Sequence, residues 1–159
     1  MRRQLLLAGL TLLIAVLLPS SAWGQSGCQR LQGSENLTFL GFWTGDVDLV
    51  LGNQLLHGVV SYTLTSARPT KGGVVLLGTE TATFDFGGGN TFTVQDHFSF
   101  SRTPDPTVRS YKAINRVTAG TGRFKDAFGK FTVKGDVQFS TSPWTFTSTM
   151  RGAICVESE

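Results

Sequence analysis

From Phe39 onward apolar and polar residues alternate with a period of two, and no window carries helical periodicity. A chain patterned this way buries one face of each segment only by pairing its segments into sheet. Trp43, Val47 and Leu49 share one face, and Gly52-Asn53 supplies a two-residue hairpin turn. That turn sets Leu49 opposite Leu56 and Trp43 opposite Tyr62. On the other face it pairs Asp48 with His57, which reads as a surface ion pair because no nucleophile stands beside it.

The same alternation continues. Phe84 and Phe86 share a face with Phe92, Val94, Phe98 and Phe100 across the turn Gly87-Gly-Gly-Asn90. Tyr111, Ala113, Asn115 and Val117 form the next apolar face, and Phe131, Val133, Gly135, Val137 and Phe139 the one after it. Trp144, Phe146, Ser148, Met150, Gly152 and Ile154 return across Ser140-Thr-Ser-Pro143, with Arg151 and Cys155 pointing outward. Seven clear strands, and one more possible before Trp43, predict an all-β fold: a single antiparallel closed β-barrel of about eight strands, calycin-like in form. The alternative is a lipocalin-type barrel, since Gly41-Phe-Trp43 matches the G-x-W of lipocalins. Their closing arginine should stack on that tryptophan, whereas Arg151 falls on the outward face.

Between two of these strands lies Val117-Thr-Ala-Gly-Thr-Gly-Arg-Phe-Lys-Asp-Ala-Phe-Gly129. Gly120 and Gly122 can adopt φ > 0 and turn the chain sharply. Phe124 and Ala127 then offer a large and a small apolar contact, and Gly129 releases the next strand. The segment resembles the G-T-G-x-F-x-x-A-x-G of dirigent proteins and the V-T-G-G-x-G-x-F of allene oxide cyclases. Phe42-Trp-Thr-Gly-Asp-Val47 is similar to the cyclases' early aromatic-T-G-D-aliphatic strand, and Ser142-Pro-Trp leading to Gly152-Ala-Ile154 to their closing strand. The resemblance implies a small antiparallel barrel that binds or cyclises apolar small molecules. Gly41 stands near where the cyclases carry an asparagine, so their catalytic residues are not carried over.

Residues 1–24 read as a secretory signal peptide: Arg2 and Arg3, an apolar run from Leu5 to Leu18, and small residues Ala22 and Gly24 at the −3 and −1 positions. Cleavage leaves 135 of the 159 residues, lowers the formal charge from +3 to +1, and leaves no stable membrane span. The product is expected to be secreted or periplasmic. Residues 25–38 read as a polar, irregular N-terminal segment tied by Cys28, and residues 39–159 as the barrel domain. In an oxidising compartment Cys28 and Cys155, near opposite ends of the mature chain, read as one disulfide. Dirigent proteins are similar in joining an early cysteine to a late one. Lipidation of Cys28 is the competing reading, with Gln25 standing where a lipobox wants leucine.

Residues 102–134 hold eight basic and two acidic side chains. Basic residues alternating along strands mark a solvated face, and no nucleic-acid-binding motif accompanies them. No G-x-S-x-G, H-E-x-x-H or C-x-x-C occurs, and His57 and His97 count onto outward faces, so neither a metal nor a cofactor is expected. Asn36-Leu-Thr38 is a glycosylation sequon, relevant in a eukaryotic source.

Two acids break the apolar face. Counting by twos places Glu80 and Asp96 among the inward phenylalanines. With Phe86 paired to Phe92, Glu80 would face Phe98 and Asp96 would face Ala82, making the carboxylates diagonal neighbours. Burial raises a carboxyl pKa and crowding separates a pair, so the two could supply one proton donor and one base inside an apolar cavity. Otherwise they sit hydrated at the barrel mouth or hydrogen-bonded to Tyr62, Tyr111 or Asn115. Tyr62, Phe98, Tyr111, Asn115 and Ser148 are the expected ligand-lining residues.

Two functions follow. In one, the barrel binds, orients or cyclises an apolar small molecule in an internal cavity. In the other, twelve phenylalanines pack the barrel solid and the protein is a secreted structural or interaction module. Homo-oligomerisation is compatible with either, and cavity volume separates them.

Overall fold

The computed structural model describes residues 27–70 and 75–156, and the expected leader lies outside them. Eight strands follow in order: β1 (Gly27–Phe39), β2 (Trp43–Leu51), β3 (Gln54–Pro69), β4 (Val75–Asp85), β5 (Thr91–Arg102), β6 (Val108–Gly120), β7 (Phe128–Gln138) and β8 (Thr145–Val156). Each pairs antiparallel with the next, and β8 returns to β1, closing the barrel. Closure leaves no unpaired sheet edge, and alternate side chains of every strand point inward. The β2–β3 register is as expected, with Trp43 opposite Tyr62 and Leu49 opposite Leu56.

The segment expected to be irregular is instead most of β1. It runs as one strand from Gly27 across the expected boundary at residue 38, pairing with β2 on one side and β8 on the other. Its inward positions include Leu31, Glu35 and Leu37, all buried. The reason is geometric: an open sheet of seven strands would leave two edges, and this largely polar segment pairs its backbone with both while burying Leu31 and Leu37 in the core. Cys28 stands opposite Cys155 and is bonded to it, with Cα atoms 3.8 Å apart. Cys155 is buried rather than open, since Cys28 flanks it on one side and Phe128 on the other.

A second correction concerns the β4–β5 register. Phe92 pairs with Phe84 rather than Phe86, so the pairing is shifted by two residues. Gly87, Gly88 and Gly89 all take positive φ and build a loop closed by Phe86 N donating to Asn90 O, so the strands part at Asp85 and Thr91. A shift of two preserves the inward face. It also brings Glu80 directly opposite Asp96.

The two ends of the barrel differ. One is plugged by stacked phenylalanines: Phe84 on Phe92 with centroids 4.6 Å apart, and Phe124 against Phe92 at 5.1 Å. Phe124 comes from the glycine turn, a short 3-10 helix over Gly122–Phe124, and it and Ala127 are buried as expected. Gly122 takes φ +56°. Gly120 does not have positive φ; a Cβ there would lie 1.9 Å from the Phe124 carbonyl oxygen, so close backbone approach demands the glycine. At the other end Phe39, Trp43, Phe139 and Trp144 form an aromatic rim, with Phe39 stacked on Trp144 at 5.3 Å. Trp43 packs on Phe39 and Phe146, and Arg151 is exposed on the outer wall, so the lipocalin arginine–tryptophan stack is not formed.

Candidate functional site

Inward parity on six strands carries polar groups into the barrel between plug and rim. Glu35 comes from β1, Tyr62 from β3, Glu80 from β4, Asp96 from β5, Tyr111 and Asn115 from β6 and Ser148 from β8; all are buried. Burying an ionisable group is costly unless it is hydrogen-bonded or neutral, so their partners matter.

These residues fall into two groups. Glu35 accepts from the Tyr62 hydroxyl at 2.6 Å and from the Ser148 hydroxyl at 2.8 Å, so both carboxyl oxygens are engaged. Burial nevertheless pushes the Glu35 carboxyl up to about 7, against the pull of those two hydrogen bonds. In the second group the Tyr111 hydroxyl lies 2.5 Å from Glu80 Oε1 and 3.2 Å from Asp96 Oδ2. A phenol has one proton to donate. When it goes to the nearer Glu80 oxygen, a protonated Asp96 can donate into the phenol oxygen. The electrostatics agree, because burial first, and then the neighbouring Glu80 charge, raise the Asp96 carboxyl to about 8. Burial raises Glu80 too, against hydrogen bonds from Tyr111 and Asp96. At neutral pH the pair therefore holds a proton inside an apolar wall. Both phenols are pushed well above their ordinary value by burial and the surrounding carboxylates, so they remain proton donors.

One corner is left unsatisfied. Asp96 Oδ1 and both polar atoms of the Asn115 side chain have no hydrogen-bond partner within the protein. Asn115 stands opposite Asp96 across β5 and β6, so this corner adjoins the proton-holding pair.

Beside the pair lies a cavity of about 20 Å³, lined by Glu80, Tyr62, Tyr111, Trp43, Phe100 and Phe146. That is room for about one water molecule. Trp43 and Phe100 also line a concavity of about 600 Å³ at the rim, with Leu64, Leu76, Phe139, Trp144, Arg102 and Arg109. Glu80 thus borders the cavity beneath the aromatic mouth, whereas Asp96 and Asn115 lie deeper along their strands and do not line it. Of the expected ligand-lining residues, Tyr62 and Tyr111 reach the cavity. Ser148 is turned to Glu35, and Phe98 stacks on Tyr111 with centroids 5.9 Å apart.

Glu35 is the buried carboxyl of this candidate site that reading the sequence missed. Its signal is the alternation Leu31, Glu35, Leu37, Phe39, legible once the strand is extended upstream of Phe39. On the outer wall His57 Nδ1 lies 2.5 Å from Asp48 Oδ1, the expected exposed pair. Among the described residues no cluster of three His, Cys, Asp or Glu side chains could hold a metal, and no helix is long and apolar enough to cross a membrane.

Fold and site together define a closed, disulfide-tied, eight-stranded antiparallel barrel with buried carboxyl–phenol groups beneath an aromatic mouth. Compared with known proteins, the chain matches no family model, no curated sequence and no solved structure.

Proposed function

We propose that the protein is a secreted barrel that binds and orients an apolar small molecule at its aromatic mouth, presenting one end of it to Glu80 and Tyr111, with Asp96 behind them. The observation that carries this reading is Glu80, an inward carboxyl bordering the cavity directly under the Trp43–Phe100 level. Trp43, Phe100, Phe139 and Trp144 offer the flat apolar surface that holds such a molecule. The small interior cavity restricts the ligand: its body rests in the mouth, and only a terminal group comes near the carboxyls.

A proton held by Asp96 beside a Glu80 hydrogen-bonded to Tyr111 is suited to general acid–base work on that group. Cyclisation or isomerisation of the kind performed by allene oxide cyclases needs no cofactor and is the chemistry such a pair can assist. The resemblance in the glycine turn supports the same reading. Titration with a lipophilic fluorescent probe tests it. Saturable binding that a tryptophan-to-alanine change at Trp144 weakens supports the mouth, and absence of binding at any concentration defeats it.

The cavity of about 20 Å³ favours the second reading, a structural or interaction module with a nearly solid core. Under that reading no apolar probe binds in the mouth, and the carboxyls affect stability alone.

A further inference from the structure

Arg102 and Arg109 stand directly opposite one another at the mouth end of β5 and β6. Arg102 continues the inward parity of Asp96, Phe98 and Phe100, and Arg109 that of Tyr111, Ala113 and Asn115. Like charges directly opposite in a sheet repel, so the pair costs stability unless an anion lies near it. None of the described residues supplies one. Neither arginine has a carboxylate within 4.0 Å among the described residues. The nearby Asp105 turns back into its own loop, accepting from the Thr107 amide and hydroxyl at 2.7 Å each. Arg109 Nη1 donates to the Pro106 and Val108 carbonyls, which fixes its guanidinium at the rim.

The same end carries exposed apolar side chains. Leu40 is 65% exposed and Phe42 50% exposed in the loop joining β1 to β2, with Leu64 at 58% and Trp144 at 42% on the rim. Exposed aliphatic and aromatic groups around cationic residues match the boundary layer of an anionic bilayer: apolar groups enter the acyl region and guanidiniums meet the headgroups.

We propose that the mouth end docks onto anionic membrane surfaces, with Leu40, Phe42 and Trp144 entering the interface and Arg102 and Arg109 on headgroup phosphates. This is a property of the rim and holds whether or not a ligand occupies the mouth, so it stands or falls separately from the ligand-binding reading.

The test is co-sedimentation of the protein with phosphatidylcholine vesicles, with or without phosphatidylglycerol. Binding should be at least about tenfold tighter to the anionic vesicles and should weaken with salt. Tryptophan emission should shift to shorter wavelength as Trp144 enters the interface. Arg102→Gln should weaken binding about fivefold, and adding Arg109→Gln should bring the loss to about 25-fold. Because Arg109 also braces its loop, Arg102→Gln and Phe42→Ser, each with an unchanged melting temperature, carry the test if the double variant fails to fold. Lys130→Gln with Lys134→Gln, on the outer wall of β7, should have a smaller effect. Equal loss from those lysines would mean diffuse attraction and overturn the docking. So would equal binding to neutral vesicles, no vesicle binding at all, or self-association through this end that Phe42→Ser abolishes without any vesicle binding.

Discussion

Glu80 and Asp96 face one another directly across β4 and β5, and the single hydroxyl of Tyr111 lies within hydrogen-bonding distance of both. Two carboxyls in such contact cannot both ionise cheaply in an apolar wall, so the native state retains a proton that the unfolded chain would lose.

Stability should therefore fall as pH rises. Asp96 is raised to about 8 and Glu35 to about 7, and Glu80 is raised as well. Between the ordinary carboxyl value of about 4 and these raised values, the folded protein binds more protons than the unfolded one. This contribution is complete below that ordinary value and is lost as pH climbs through about 7 to 8. Thermal melting from pH 5 to pH 9 should show a steadily falling melting temperature; a rise over that interval would contradict the buried-proton arrangement.

Asp96→Asn should keep the fold, because the amide resembles the neutral carboxyl that the protein holds at neutral pH. Its melting temperature should be near that of the parent at pH 6 and above it at pH 9. If the pair acts on a ligand, probe binding or turnover should drop, since the amide has no proton to transfer. Melting curves and probe titrations on the same samples separate the two effects.

Removing Glu35 should cost more than neutralising it. Glu35→Ala leaves the Tyr62 and Ser148 hydroxyls buried without a partner, at roughly 1–3 kcal/mol for each group. Glu35→Gln retains an acceptor oxygen and should be clearly milder. Denaturant unfolding of both variants checks the order.

Gly122→Val should destabilise the plugged end. The residue takes φ +56°, and a Cβ there would lie 2.5 Å from Asn90 Oδ1 and 2.8 Å from the Gly89 carbonyl oxygen. Backbone strain of this kind costs about 1–3 kcal/mol before the clash is added. An unchanged melting temperature would mean that the turn tolerates a side chain.

Thiol titration of the denatured, unreduced protein should find no reactive cysteine, because Cys28 and Cys155 are bonded to one another. Reduction should lower stability markedly: the bridge spans 127 residues, for which loop-closure entropy gives about 4–5 kcal/mol.

Local chemistry carried much of this architecture in the sequence. Strict alternation placed Val47, Phe92, Asp96 and Ile154 inward because a strand has no other way to separate its faces. The Gly52-Asn53 turn fixed the register from Trp43–Tyr62 to Leu49–Leu56, since a two-residue hairpin leaves no slack. Where local signals end, tertiary structure decided. Three consecutive glycines permit several loop closures, so only the folded chain set Phe84 against Phe92 and brought Glu80 face to face with Asp96. The polar segment from Gly27 to Thr38 has weak strand character alone and becomes β1 because barrel closure offers it two edges at once. Glu35 was hidden for the same reason. A carboxylate in a polar stretch looks solvated until strands distant in the chain, carrying Tyr62 and Ser148, close over it.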